Sequence, residues 1–82
     1  MSDVYGVISG DALLIRRRSN GRLLAEVDLK LRNGSRPTEV FTDADNLIHV
    51  VVVSQFGRPI HALQFDRFGA LRRRTALNGG VR

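Results

Sequence analysis

The sequence predicts an all-β protein: an antiparallel meander of about seven short strands, closed as a small barrel or completed by a second copy into a dimer sheet. Three observations carry this expectation. Turn-forming clusters recur about every dozen residues, the spacing of meanders, sandwiches and barrels. The segments between them alternate apolar and polar residues or are rich in β-branched ones. The most apolar stretch, Leu47–Val53, ends in consecutive valines whose stiff χ1 favours extended backbone.

The turn signals are Ser9-Gly10-Asp11, Ser19-Asn20-Gly21, Asn33-Gly34-Ser35, Asp43-Ala44-Asp45-Asn46, Ser54-Gln55-Phe56-Gly57 and Asp66-Arg67-Phe68-Gly69. In the last two, Ser or Asp at the first position can accept from the backbone two residues on. Gly at the fourth supplies the left-handed conformation that closes a type I turn. Asp43 to Asn46 is the same device with Asn in place of Gly.

Seven strands fall between the turns. Val4 to Ile8 is short, and Ala12 to Arg17 puts Leu13 and Ile15 on one face. Arg22 to Leu31 alternates most cleanly, with Leu23, Ala25, Val27, Leu29 and Leu31 inward and Leu24, Glu26, Asp28, Lys30 and Arg32 outward. A helix through Leu23, Leu24, Val27 and Leu31 accounts for fewer positions. Thr38 to Thr42 follows Pro37, which lacks a ladder donor and suits a strand start. Leu47 to Val53 is apolar at odd and even positions alike, so it should be covered on both faces, and an aspartate at Val51 should unfold the domain. Pro59 to Phe65 and Ala70 to Ala76 complete the set. The last is rich in helix formers, so a short C-terminal helix is its alternative.

The 82 residues give one β-rich domain over 1–77, with 78–82 (Asn-Gly-Gly-Val-Arg) expected as a flexible tail. At 43% hydrophobic the chain is ordinary for a folded protein. With no cysteine, neither disulfides nor a thiolate metal site can staple it. Residues 1–11 lack a basic n-region and a sustained apolar segment, so the expected location is cytoplasmic, with no membrane partner.

Charge is the loudest compositional fact. Thirteen basic residues against eight acidic give +5 and a pI near 11.3. Lys30 is the lone lysine; the rest are arginine, whose planar fork of donors suits phosphate and carboxylate. An anionic partner follows, either nucleic acid or an acidic protein surface. A GC-rich coding bias toward arginine explains the composition equally well.

No catalytic constellation is present. A glycine-rich phosphate loop, a His-Glu-x-x-His motif and a cysteine nucleophile are all missing. His49 and His61 belong to neighbouring strands, but no plausible register opposes them: His49 meets Leu63 or Gln64, and His61 meets Val51 or Val52. Half-buried sheet histidines are the simpler reading. Asp43 and Asp45 lack the further ligands of a calcium loop and read as turn formers. No metal, cofactor or enzymatic activity is expected.

The sharper feature is the pair of triplets, Arg16-Arg17-Arg18 and Arg72-Arg73-Arg74. On a strand, alternate arginines project from opposite faces, so a patch needs rows across neighbouring strands, with Arg22, Arg32, Arg36, Arg58 or Arg67 added. Protection of an exposed sheet edge explains the same residues. Aromatics for base stacking are few: Tyr5, Phe41, Phe56, Phe65 and Phe68. Phe56 and Phe68 sit in turns, and we expect them to fold back as lids on their hairpins.

Residues 54–75 carry a resemblance. Phe65-Asp66-Arg67-Phe68-Gly69-Ala70-Leu71 resembles the YD repeats of Rhs-type proteins, with Phe in place of Tyr, and Asp43-Ala44-Asp45-Asn46-Leu47 is a looser echo. In that family an aromatic-Asp pair precedes a turn, a glycine and an outgoing strand, and long arrays form β-sheet shells around a cargo. For a chain of this length the resemblance implies β-hairpins.

The functional expectation is a non-catalytic small basic protein that binds an anionic partner through Arg16, Arg17, Arg18, Arg72, Arg73 and Arg74. Small β-proteins of this kind are also a common form of phage-encoded inhibitor acting on a host nucleoprotein machine. The alternative is a structural, self-assembling β-module without nucleic-acid binding. A homodimer is expected, because Ile48, Val50 and Val52 are as apolar as Leu47, Val51 and Val53, and a single sheet lacks a second layer.

Overall fold

The computed structural model describes residues 2–32 and 34–77. These form seven strands: β1 (Val4–Ser9), β2 (Ala12–Arg17), β3 (Leu23–Asp28), β4 (Arg36–Thr42), β5 (Ile48–Val53), β6 (Pro59–Phe65) and β7 (Leu71–Ala76). All pairing is antiparallel, in a three-stranded sheet ordered β1-β2-β3 and a four-stranded sheet ordered β4-β5-β6-β7. The tail expected over 78–82 lies outside the described residues.

The two sheets pack face to face, and neither is closed into a barrel. Val4, Leu13 and Ile15 from the first sheet are fully buried, as are Ile48 and Val50 from the second, with Val52, Leu63 and Phe65 almost so. The second layer is therefore supplied within the chain. Ile48, Val50 and Val52 face into the sandwich, while His49 and Val51 alternate onto the outer face and are half-buried. Cover on both faces, expected for Leu47–Val53, is confined to its far end, where the register shift between Val52 and Val53 buries two neighbours in succession.

Gly6 sets how closely the sheets meet. A Cβ there would stand 2.9 Å from Val40 Cγ2 and 3.0 Å from both Ile48 Cγ2 and Leu13 Cδ1. A second close approach ties β7's hairpin down: a Cβ on Gly69 would meet Val27 Cγ2 at 3.0 Å and Ala25 Cβ at 3.2 Å, both on β3.

Several strands depart from strict alternation. Between β2 and β3 the register shifts after Ile15, so Ala25 opposes Ile15 and Leu23 opposes Arg16, with Leu24 left over. Leu24 packs against the core, and Leu23, expected inward, is exposed. β3 stops at Asp28 rather than running to Leu31: the Asp28 carboxylate accepts the Lys30 N–H at 2.9 Å, and Lys30 takes a left-handed φ of 52°. β4 begins at Arg36 and includes Pro37, which an edge strand tolerates.

Residues 71–76 are a strand, not a helix. Helix propensity yields to the β6 ladder, because the Asp66–Gly69 turn delivers the chain into register with Phe65 opposite Leu71. The hairpin turns repeat one set of bonds. Asp43, Ser54 and Asp66 each donate an N–H to the residue four on, and each carbonyl accepts from the residue three on. Their side-chain oxygens accept two further N–H groups. Phe56 and Phe68 are 85% and 80% exposed, so neither is a lid.

Three substitutions test the packing. Gly6→Ala should destabilise the domain by about 1–3 kcal/mol through overpacking, read from urea midpoints. Val50→Asp should unfold it, whereas Val51→Asp on the outer face should leave a cooperative melt; equal damage from both would contradict this assignment of faces.

Candidate functional site

Each arginine triplet is divided by its strand. Arg16 is half-buried, and its Nη1 donates to the Gly21 carbonyl at 2.9 Å. Arg18 lies 5.5 Å over the Tyr5 ring and donates to the Ser2 carbonyl and hydroxyl, at 3.2 and 3.3 Å, and to the Val4 carbonyl at 3.4 Å. Arg16 thus ties the end of β2 to the turn that follows it, and Arg18 ties it to the start of β1. Arg17 and Arg18 line an open depression with Ser2, Asp3, Ser19 and Arg67.

The second triplet lies on β7, whose six residues are all exposed. A register shift leaves Arg72 without a Cα partner, and its guanidinium stands 3.7 Å from the Asp66 carboxylate. Arg73 opposes Gln64 on the outer face. Arg74 opposes Leu63 and so belongs to the inner side, where it shares a crevice with Lys30, Arg32 and His61. Burial, then Arg74 and Arg32, hold His61 below the usual imidazole range, which favours its neutral form. The triplets thus line different depressions.

The outer face of β4–β7 carries a row that sequence reading did not assemble. Phe41 pairs with His49, His49 with Gln64, and Gln64 with Arg73. The Phe41 and His49 rings are stacked, with centroids 4.7 Å apart and planes within 5°. His49 Nε2 lies 2.7 Å from Asp43 Oδ2. A carboxylate only accepts, so Nε2 carries the proton in this bond. Asp43 therefore closes the turn with one oxygen and orients the imidazole with the other. The signal lay in the turn itself: with Asp43 bonded to Leu47, continued pairing puts Thr42 opposite Ile48 and Phe41 opposite His49.

His49 meets Gln64 and His61 meets Val52, one of the two registers expected for each, and the histidines are not opposed. Among the described residues, no group of three or more His, Cys, Asp or Glu could hold a metal ion, and no helix is long and apolar enough to cross a membrane. No protein-family model, curated protein or solved structure matches the chain.

Two carboxylates make stability depend on pH. The bond from His49, then that from Leu47 N–H, hold Asp43 below the usual carboxyl range. The Ala70 N–H, with Phe68 N–H and Arg72 adding to it, does the same for Asp66. Their folded values lie below the unfolded ones, so this stability is present above about pH 3.9 and is lost as pH falls through the folded values. Urea midpoints should decline from about pH 5 downward, and Asp43→Asn with Asp66→Asn should flatten that decline.

Proposed function

We propose that the protein is a non-catalytic binding protein that engages nucleic acid through its arginines. One observation carries the reading. Among the described residues, Arg72 is the only arginine or lysine with a carboxylate within 4 Å. The remaining cations bond only to neutral groups of the chain or leave their donors free for water or a partner, and the net charge of +5 is not neutralised locally. Arg73, Arg74, Arg32 and Lys30 lie on or beside β7, where phosphates can reach them.

A second reading, a self-assembling β-module, is favoured by the exposed outer edge of β7. Residues 54–75, which resemble YD repeats, form the β6–β7 hairpin that presents this edge. Self-association through it would also give the expected homodimer, without calling on the buried Ile48, Val50 and Val52.

Salt separates the two readings. Phosphate binding releases counterions, so the logarithm of the binding constant for a labelled oligonucleotide should fall linearly with log salt concentration, and Arg73→Ala with Arg74→Ala should lower that slope by about one per lost contact. Absence of binding at low salt would overturn the nucleic-acid reading. Light scattering that finds only a 9.1 kDa species at micromolar concentration would remove self-assembly.

A further inference from the structure

We infer that the outer face of the β4–β7 sheet binds the unpaired bases of single-stranded nucleic acid, with Phe41 as the stacking surface and Arg73 as the phosphate contact; this rests on the nucleic-acid reading above. Four features of this face converge on such a ligand. Phe41 is 53% exposed although it lies in a strand. One face of its ring is covered by His49, and β4 is the edge of its sheet, with no strand hydrogen-bonded on its other side. A base laid there would extend the parallel Phe41–His49 stack.

The stack is also held in place before any ligand arrives. The bond from His49 to Asp43 fixes the imidazole, and Asp43 is itself fixed by the turn it closes. A preordered platform loses little side-chain freedom on binding.

Beyond the stack, the face turns polar and then cationic. His49, Ala62, Gln64, Arg73 and Thr75 surround a shallow depression of about 180 Å³. Ala62 leaves it open, the Gln64 amide can pair with a base edge, and Arg73 stands at the β7 side. The carboxylates at this face lie on the side of β4, away from Arg73: Glu39 in the strand itself and Asp43, at its end, bonded to His49. The charge gradient therefore directs a sugar-phosphate backbone toward β7 and bases toward Phe41. Three inter-strand gaps of roughly 4.8 Å make the platform about 14 Å wide. Open four-stranded sheets with face aromatics take two or three bases in this way.

Duplex is disfavoured on the same chemistry, because paired bases keep their faces inside the stack. An acidic protein segment would satisfy Arg73 but leave the ring unused.

Binding can be read by fluorescence anisotropy at low salt, using a mixed-sequence single strand, the same strand with every base removed, the corresponding duplex, and polyglutamate. The single strand should bind most tightly, about 5- to 100-fold above the abasic strand. Phe41→Ala should reduce it to the abasic level with an unchanged salt slope, while Arg73→Ala should lower the slope and keep the preference for bases. Phe41→Thr, which retains strand propensity, should match Phe41→Ala, and Phe41→Tyr should restore binding. Equal binding of single, abasic and duplex probes, with Phe41→Thr silent, would overturn the platform while leaving the arginine reading intact. Binding to none of the nucleic acids would overturn both. Polyglutamate binding as tightly as the single strand would replace bases with an acidic peptide as the ligand.

Discussion

The two sheets can share a core because β1 carries no side chain at Gly6. Val40, Ile48 and Leu13 already occupy the space that a Cβ would enter. A chain this short buries only about 60% of the surface its unfolded form exposes, so it depends on close packing of a few large side chains. Val4, Leu13 and Ile15 supply one layer of that packing, and Ile48, Val50 and Val52 the other. Gly69 repeats the device at the far hairpin, setting the β6–β7 turn against Val27 and Ala25 of β3. The sheets differ in width by one strand. β7, with every residue exposed, is the strand left outside the cover.

Local chemistry was legible, and long-range assembly was not. Asp43, Ser54 and Asp66 announce their turns, because a short acceptor at the first position and Asn or Gly at the fourth leave the backbone little alternative. Hairpin register then follows by counting outward, which is why Gln64 opposite His49 could be anticipated. What cannot be counted is which meander lies over which. The valines of β5 look equally buried in the sequence, yet β1–β3 cover only one of their faces. Register shifts were equally silent: nothing marks Leu24 as the surplus residue that sends Leu23 outward. The candidate platform was missed for a related reason. Asp43 had a sufficient explanation as a turn former, and its second oxygen was not assigned to His49.

The acidic residues are used differently from the basic ones. Asp28, Asp43 and Asp66 each accept hydrogen bonds from their own local backbone. A carboxylate held in a turn stays where the turn is. Arginine has no comparable local use on a strand, apart from Arg16 on β2; Arg18, just past that strand, reaches the Ser2 and Val4 carbonyls. β7 in particular carries three arginines and no carboxylate of its own, so its charge is set apart from the carboxylates held in the turns.

This separation makes edge protection and the proposed ligand binding compatible on the same residues. A flat strand with a free edge invites pairing with another chain, and charge along it deters that. On β7 the arginines alternate across the strand, with Arg73 on the outer face and Arg74 toward His61. Approach of a second basic edge is therefore opposed from both sides. A polyanion meets no such repulsion, since it brings the countercharge with it. On the nucleic-acid reading proposed above, the field that would oppose a second copy at this edge is the one that would attract phosphate.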